Sequence, residues 1–272
     1  MSESRSARLW LSALAFSATA AGAFAQAPQE EFQPEVGQQG KDVVWVPSPQ
    51  QLVDKMLDMA KVTPKDFVMD LGSGDGRTVI AAAKRGAKAL GVEYNPDMVA
   101  LSRRNAQKAG VGGKAKFVEA DIFKTDLSKA TVITMFLLTD LNLRLRPTIL
   151  ALKPGTRIVS NTFRMGEWEP DQSVELGCDT YCTAYLWIVP AHVEGSWSGG
   201  AGELSLKQDF QKLSGTLKNG NVSTPISRGI MHGDQIQFGA GGAEYRGRVN
   251  GNSIEGTVTS NGKTGVWKAS RS

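Results

Sequence analysis

Alternating strand-like and helix-like segments across residues 43–191 constrain the fold of this chain most strongly. Short apolar runs begin near residues 67, 89, 116, 131 and 157, and segments with apolar residues at helical spacing separate them. Near-continuous apolar strands that alternate with helices form parallel sheets, because the helices then cover both faces of the sheet. We therefore predict an α/β domain over residues 43–191, with a doubly wound and mostly parallel Rossmann-like sheet.

The pattern changes in residues 192–272, where short alternating runs are separated by Gly, Asn, Ser and Asp. No helical period persists there, and the stretches 250–252 (NGN) and 261–262 (NG) are typical of hairpin turns. We expect a second, small domain folded as an antiparallel β-barrel or meander. The Ser- and Gly-rich residues 192–202 predict a loose junction that proteases would cut. Four aromatic residues could form the barrel core or face a ligand: Trp197, Phe210, Tyr245 and Trp267.

The segment 1–25 has the composition of a signal peptide. Arg5 and Arg8 precede an apolar core, and Ala23-Phe24-Ala25 matches an A-x-A cleavage site. Cleavage there would make Gln26 the first mature residue of a periplasmic or secreted protein. The apolar stretch also approaches the length of a short spanning helix, so an inner-membrane anchor or a cytoplasmic chain is the alternative. We expect no membrane contact beyond this segment.

A short segment links the predicted signal peptide to the α/β domain. Residues 26–42 are rich in Gln, Glu, Pro and Gly, and this composition predicts a flexible leader. Ser48, Pro49 and Gln51 then match a capping box at the start of a helix, with the Ser48 hydroxyl as the cap.

The charge and the few metal-ligating residues narrow the classes of partner. The net charge is +4 and the sequence has no dense run of Lys or Arg, so we expect no nucleic-acid partner. The two cysteines and two histidines are too few and too dispersed for a zinc site, and we expect no metal. Cys178 and Cys182 could pair across a tight turn in an exported protein, although one continuous strand would hold them too far apart. A structural disulfide is favoured over free thiols.

The turn after the first strand, residues 70–77 (DLGSGDGR), is the main candidate for a ligand site. A turn that binds a dinucleotide has the spacing Gly-x-Gly-x-x-Gly, whereas this turn has Gly-x-Gly-x-Gly. Asp70 and Asp75 add two carboxylates, which would repel a pyrophosphate and attract a cation. We therefore favour a cationic ligand, with an NAD-type oxidoreductase as the alternative. The glycines of the turn are Gly72, Gly74 and Gly76.

Two further acidic residues end neighbouring strands. Glu93 ends the second predicted strand and Asp121 the third, and the carboxyl ends of parallel strands meet at the ligand-binding edge of an open sheet. A carboxylate at Glu93 can accept both hydroxyls of a ribose, and Asp121 or Ile122 can flank an adenine ring. S-adenosyl-L-methionine combines these groups with a sulfonium and an ammonium, and it has no phosphate. We expect it as the cofactor.

The motifs of residues 45–191 support a resemblance to a known class. They are WVPSP, DLGSGDGR, GVEYNP, FVEADIF and LKPGTRIVSNTF. The chain resembles a class I S-adenosylmethionine-dependent methyltransferase, in the branch that contains the ATP-synthase c-subunit lysine methyltransferases and their bacterial relatives. The last motif is also similar to that of Dot1-type histone-lysine methyltransferases. Arg77 matches the signature of the class and would pair with Asp75 or Glu93.

The resemblance implies methyl transfer to an acceptor, for which a protein lysine amine is one candidate. Trp45 and Pro47 would help to close the cofactor pocket, although Trp45 could equally pack as an ordinary aromatic residue before a helix. Glu93 would bind the ribose, and Asp121 the adenine end. The residues that would surround the methionine part of the cofactor are Asp70, Gly72, Ser73 and Gly74.

We expect the acceptor to approach over the end of the fourth strand. The sequence there lacks the Asp/Asn-Pro-Pro-Tyr loop of many amide and nucleobase methyltransferases, which argues against DNA-adenine or glutamine acceptors. Asp140 would take a proton from the acceptor amine, or would cap a helix. The cofactor is made inside cells, so an exported chain could instead be a binding module that has lost catalysis. The residues near the acceptor would be Phe136, Leu137, Thr139, Asp140 and Asn142.

Overall fold

A computed structural model describes residues 32–178 and 180–272. The predicted signal peptide, its cleavage site and Gln26 therefore lie outside the described residues. The described residues form four helices and sixteen strands, and none of these helices is both long and apolar enough to cross a membrane. The helices are α1 (Gln50–Met59), α2 (Arg77–Lys84), α3 (Pro96–Lys108) and α4 (Thr139–Leu150).

Seven strands form the first sheet. They are β1 (Phe67–Leu71), β2 (Lys88–Glu93), β3 (Ala115–Glu119), β4 (Val132–Met135), β5 (Arg157–Asn161), β6 (Gln172–Glu175) and β7 (Thr183–Ile188). Their order is β3-β2-β1-β4-β5-β7-β6, and β1 to β5 run parallel. This confirms the predicted α/β class with a mostly parallel sheet. Two further strands at one edge were not predicted. There β7 runs antiparallel to β5, and β6 runs antiparallel to β7.

The first sheet has a hydrophobic core on each face. Along β1, Val68 packs with Leu57 of α1 and its neighbours, whereas Met69 packs with Leu145 of α4 on the opposite face. Successive side chains of a strand point to opposite faces, so an uninterrupted apolar strand fills both cores. Burial of each large aliphatic side chain contributes about 1.5–3 kcal/mol. The strand order reverses between β1 and β4, where open α/β sheets bind their ligands.

The second sheet closes into an antiparallel barrel. Its strands are β8 (Gly195–Gly199), β9 (Gly202–Asp209), β10 (Lys212–Asn219), β11 (Val222–Pro225), β12 (Ser227–His232), β13 (Gln235–Ala240), β14 (Ala243–Asn250), β15 (Ser253–Ser260) and β16 (Lys263–Arg271). The ring closes because β9 pairs with both β8 and β10, and β11 is added beside β10. Asn261 and Gly262 join β15 to β16 with positive φ angles of 49° and 72°, as a two-residue hairpin requires.

The barrel is filled by aromatic side chains. Phe238 stacks on Tyr245 with ring centroids 4.8 Å apart, and Trp267 meets both rings edge-on. Trp197 is also fully buried in this core. Of the four aromatic residues singled out from the sequence, Trp197, Tyr245 and Trp267 therefore form core and do not face a ligand. Phe210 lies elsewhere, in the turn between β9 and β10.

Phe210 lies where the barrel packs against the first sheet. Its ring stacks on Trp168 at 5.8 Å, and Gln211 Nε2 donates to the Glu169 carbonyl at 2.8 Å. Val193 N donates to Gln208 Oε1 at 2.7 Å, so the chain is already tied to the barrel before β8 begins. Residues 192–202 do not form the predicted loose junction in the structure, because Gly195–Gly199 pair with β9 as β8 and Trp197 is buried.

Candidate cofactor and acceptor site

One cavity of about 220 Å³ lies at the carboxyl ends of the parallel strands. It is bounded by the turn after β1, the ends of β2, β3 and β4, and the segment before α1. The structure brings together every residue proposed to bind the cofactor. Those that line the cavity are Asp70, Gly72, Ser73, Gly74, Glu93, Asp121, Ile122, Trp45 and Pro47.

The glycine turn forms the floor of the cavity. Gly72, Gly74 and Gly76 have φ angles of 77°, 51° and 84°, in the left-handed region that glycine adopts at no steric cost. A Cβ on Gly74 would lie 2.7 Å from Nε1 of Trp45. Trp45 is half-buried against this turn and lines the cavity.

Asp70 is a buried carboxyl group at the inner end of the cavity. Burial raises its pKa to about 7, and the charges of Glu93 and Asp75 add to this effect. A hydrogen bond from Thr134 Oγ1 to Asp70 Oδ1, 2.6 Å long, opposes the rise without cancelling it. A cation beside Asp70 would favour the ionised form, so this residue is built to gain from a positively charged ligand.

Ser73 presents a second buried polar group. Its Oγ has no hydrogen-bond partner among the described residues. A Cβ on Gly91 of β2 would lie 2.5 Å from this oxygen, so the hydroxyl packs against β2 and is not open to the cavity. Ser73 therefore lines the cavity through its other atoms.

Glu93 is held by three backbone donors. Its Oε2 accepts from Gly74 N at 2.9 Å, and its Oε1 accepts from Tyr94 N at 2.9 Å and Asn95 N at 3.0 Å. A carboxylate has about four acceptor positions, so capacity remains for a further donor. The first bond also ties the end of β2 to the glycine turn.

Asp121 is paired with a residue from the segment before α1. Lys41 Nζ lies 2.9 Å from Asp121 Oδ2, and this hydrogen bond, with one from Phe123 N, lowers the pKa of Asp121. Lys41 also lies 4.4 Å from the centroid of the Tyr94 ring. The predicted leader of residues 26–42 thus supplies cavity residues, which its composition did not indicate.

Ser48 joins three of the sequence motifs. Its hydroxyl accepts from Asn161 Nδ2 at 2.9 Å, and its carbonyl accepts from Arg77 Nη1 at 2.7 Å. Of the two predicted partners of Arg77, Asp75 and Glu93, the structure shows Asp75, with which Arg77 makes a two-pronged ion pair. The predicted capping box is wrong, because α1 begins at Gln50 and the Ser48 hydroxyl is bonded to β5 instead.

The opposite end of the cavity is apolar and aromatic. Phe136 stacks on Phe163 at 5.9 Å, and Tyr181 meets the Phe136 ring edge-on at 5.2 Å. Because these centroids are so close, the rings form one continuous wall and do not enclose a cage. We call Phe136, Phe163 and Tyr181 the aromatic wall. The other residues lining this end are Leu137, Leu138 and Leu141.

The backbone beside the wall is fixed by buried polar groups. Ser160 Oγ donates to the Phe163 carbonyl at 2.7 Å, and Asn142 Nδ2 donates to it at 3.2 Å. Asn142 therefore acts behind the wall, and it does not line the cavity. Asp140 is exposed in the first turn of α4 and is likewise outside the cavity lining among the described residues. The structure does not bring Asp140 to this apolar end of the cavity.

Cys178 and Cys182 form a disulfide with Cα atoms 5.8 Å apart. They flank the turn between β6 and β7, and this geometry agrees with the favoured prediction of a structural bridge.

The sequence interpretation missed several cavity residues. Phe163 ends the motif LKPGTRIVSNTF, so that motif could have pointed to it. Tyr94 directly follows Glu93 in the motif GVEYNP, so that motif could also have pointed to it. Lys41 and Tyr181 gave no usable signal, because each reaches the cavity through contacts with residues distant in sequence.

The α/β domain that carries this cavity is similar in sequence to known methyltransferases. The family model described as the ANTKMT methyltransferase domain matches residues 70–172. The protein-lysine N-methyltransferase of Saccharolobus islandicus (strain REY15A) is 44% identical over 155 residues, which cover 55% of this chain and 96% of that protein. The ATP-synthase c-subunit lysine N-methyltransferase of Mus musculus is 36% identical over 137 residues, which cover 50% of this chain and 55% of that protein.

A solved structure adds the ligand. The crystal structure described as an RNA methyltransferase from Salinibacter ruber in complex with S-adenosyl-L-homocysteine has 46% sequence identity and a TM-score of 0.52. The match covers 54% of this chain and 96% of that chain. An NAD-type oxidoreductase and a non-catalytic binding module are not favoured by these similarities. The chain therefore belongs to the class I S-adenosylmethionine-dependent methyltransferases, in the family of the ANTKMT methyltransferase domain, and S-adenosyl-L-methionine is its cofactor.

Proposed function

We propose that this methyltransferase acts on the side-chain amine of a protein lysine. The observation that carries the proposal is the apolar acceptor end of the cavity, where the aromatic wall and its leucines carry one polar side-chain atom, the Tyr181 hydroxyl. A lysine has a long apolar stem that can lie along such a surface while its amine reaches inward. The relatives from Saccharolobus and mouse, named as lysine methyltransferases, give independent support.

The polar end of the cavity would hold the cofactor. Asp70 would pair with the ammonium group, which gives the buried carboxyl a charged partner, and the backbone of the turn at Gly72, Ser73 and Gly74 would lie beside the methionine part. Glu93 would accept the ribose hydroxyls, and Asp121 with Ile122 would flank the adenine. When bound, S-adenosyl-L-methionine supplies a methyl group that its sulfonium already activates.

The chain's remaining task is to align the acceptor and to exclude water. An amine must lose its proton before it can accept a methyl group, and an apolar environment favours the neutral amine. The aromatic wall and the leucines beside it provide that environment. Since Asp140 is exposed and outside the cavity lining, we propose that desolvation lowers the pKa of the lysine and that solvent takes the proton.

An RNA acceptor is the main competitor, because the Salinibacter relative is described as an RNA methyltransferase. RNA binding depends on cations that contact phosphates. Within the described part of the chain, the Lys and Arg residues of the cavity lining are Lys41 and Arg77, and both are paired with acids at the cofactor end. The aromatic wall is consistent with base stacking, yet neither of these two cations lies at that end. These features favour lysine.

Transfer of a labelled methyl group tests the proposal. Purified residues 26–272 would be incubated with S-adenosyl-L-methionine carrying a deuterated methyl group and two acceptors, a pool of single-lysine peptides and total RNA. We expect tandem mass spectrometry to locate the label on lysine Nζ and an arginine-substituted peptide pool to stay unlabelled. Label on RNA with none on lysine would contradict the proposal.

We further propose that the chain is exported and cleaved after Ala25. The signal-peptide features of residues 1–25 and the Cys178–Cys182 disulfide support this, because disulfides persist mainly in oxidising compartments. The intact mass of the protein from fractionated host cells, with and without thiol alkylation, tests it. We expect a chain that begins at Gln26 and resists alkylation. A full-length cytosolic chain with two free thiols would refute export.

A further inference from the structure

We propose that Tyr181, held in place by the Cys178–Cys182 disulfide, is the specificity-determining residue that completes the acceptor end of the cavity. The inference rests on the proposed lysine methyltransferase function and adds a residue and a covalent restraint to it. It predicts that the disulfide controls binding of the acceptor and leaves binding of the cofactor unchanged.

Tyr181 has an unusual position for a large aromatic residue. Its side chain is 40% exposed, yet it lines the same cavity as the glycine turn. It contacts Phe136 edge-on at 5.2 Å and lies 6.2 Å from Phe163. Exposed aromatic surface at the mouth of a cavity is available to a ligand, whereas core aromatic residues in this chain are almost fully buried.

The backbone of Tyr181 is in a conformation that a tyrosine rarely adopts. Its φ angle is +56°, in the left-handed region that costs a residue with a Cβ free energy. Such conformations persist where the surrounding structure enforces them, and they concentrate at functional sites. The conformation of Tyr181 therefore needs an external restraint.

The disulfide supplies that restraint. Cys182 is buried directly before β7, and its carbonyl accepts from Leu176 N at 2.9 Å, so this side of the turn is anchored beside the sheet. Cys178 is exposed, and the sulfur–sulfur bond joins it to Cys182, four residues further along the chain. The bridge closes a turn that contains Tyr181 and prevents it from opening into an extended strand.

The other two members of the aromatic wall do not depend on this bridge. Phe136 directly follows β4, and the Phe163 carbonyl is held by Ser160 and Asn142. Breaking the disulfide should therefore release Tyr181 alone and leave the remaining wall and the glycine turn in place. The expected defect is a weaker acceptor interaction with an intact cofactor site.

Steady-state kinetics with a single-lysine peptide and calorimetry with S-adenosyl-L-homocysteine test the inference. Tyr181→Ala and the double variant Cys178→Ser/Cys182→Ser should raise the KM for the peptide about threefold to tenfold, the size of one aromatic contact. Tyr181→Phe should keep the KM within about twofold, because it keeps the ring. Val266→Ala, an exposed barrel residue far in sequence from the site, is the matched control.

Reduction of the wild-type protein provides a second arm. Dithiothreitol donates two electrons to the disulfide, giving two cysteine thiols and the cyclic oxidised dithiol, and should raise the KM as the double variant does. Dithiothreitol should leave the peptide KM of Tyr181→Ala unchanged. An unchanged KM in Tyr181→Ala, or equal changes in peptide KM and in the Kd of S-adenosyl-L-homocysteine, would overturn the inference.

A probe that needs no turnover separates this inference from the proposed function. n-Hexanol resembles the apolar stem and the uncharged head of a neutral lysine side chain, and saturation-transfer NMR reports its contact with aromatic rings. We expect a signal with the wild type and Val266→Ala, and a loss with Tyr181→Ala. Absence of lysine methylation with that pattern intact would refute the proposed function alone, whereas an equal signal in Tyr181→Ala would refute the role of Tyr181.

Discussion

The two ends of the cavity are built in opposite ways. The cofactor end is a backbone turn surrounded by carboxylates, and its Glu93 is held by three backbone N–H groups. The acceptor end is a wall of the three aromatic side chains Phe136, Phe163 and Tyr181. Charge and hydrogen bonding therefore dominate at one end, and apolar surface dominates at the other.

This difference indicates that the two ends of the cavity meet different chemical requirements. A cation such as S-adenosyl-L-methionine gains most where a buried acid can take up a positive partner, as at Asp70. An amine that must become neutral gains most where nothing stabilises its charge. Because the two requirements conflict, they are met by separate groups of residues, and substitutions at one end should leave the other end unchanged.

The largest expected effect is at Glu93. Glu93→Ala removes the proposed acceptor for two ribose hydroxyls and the bond to Gly74, which should cost about 1–3 kcal/mol, or about 5- to 150-fold in the Kd of S-adenosyl-L-homocysteine. Calorimetry measures this directly. Glu119→Ala is the matched control, because Glu119 occupies the paired position on β3 and is exposed. Equal losses in both variants would show that the effect is not local to the site.

The next effect is a dependence of cofactor affinity on pH. The pKa of Asp70 is raised to about 7 by burial, so below that pH a cationic ligand must displace a proton to pair with the carboxylate. Affinity for S-adenosyl-L-homocysteine should fall by up to about tenfold for each pH unit below about 7 and level off above it. Calorimetry over a range of about pH 5.5 to about 8 should show the fall in the wild type. Asp70→Asn should bind weakly at every pH, without that slope.

At the acceptor end, Phe136→Ala should have a smaller effect. Loss of its ring removes contacts to Phe163 and Tyr181, which should raise the peptide KM by about 2- to 12-fold, the equivalent of about 0.5–1.5 kcal/mol. The Kd of S-adenosyl-L-homocysteine should stay within about twofold. Peptide kinetics at saturating cofactor check the first value, and calorimetry checks the second. A larger change in cofactor affinity than in peptide KM would contradict the assignment of Phe136 to the acceptor end.

The smallest expected effect is at Lys41. Its pair with Asp121 is near the surface, and such pairs contribute about 0–1 kcal/mol. Lys41→Met should therefore weaken cofactor binding by no more than about fivefold. Salt should weaken binding by the wild type and have less effect on the variant, because ions screen exposed charges. Calorimetry at low and high salt measures the difference, and an identical salt response would exclude a role for this pair.

The sequence predicted the cofactor end far better than the acceptor end, for a physical reason. Asp70, Glu93 and Asp121 each lie at or just beyond the end of a strand, and parallel strands end at one edge, so local pattern is enough to bring them together. Lys41 and Tyr181 reach the cavity only through tertiary contacts. Lys41 pairs across 80 residues, and Tyr181 depends on an antiparallel hairpin and a disulfide.

The errors have a similar cause. Ser48 matched a capping box by spacing, but its hydroxyl bonds to Asn161, far along the chain. Residues 192–202 are rich in Ser and Gly and suggested a loose linker, but the barrel pairs Gly195–Gly199 of this stretch in β8 and buries Trp197. Local composition cannot predict these contacts, because they are made with residues distant in sequence.

The division of the cavity into two independent ends is tested most directly by one double-mutant measurement. Glu93→Ala, Phe136→Ala and their combination would be compared by the Kd of S-adenosyl-L-homocysteine and the peptide KM at saturating cofactor. We expect Glu93→Ala to change only the Kd, Phe136→Ala only the KM, and the combination to show both changes added within about 0.5 kcal/mol. Coupling well above that value, or a shift of both constants by either single variant, would contradict the account.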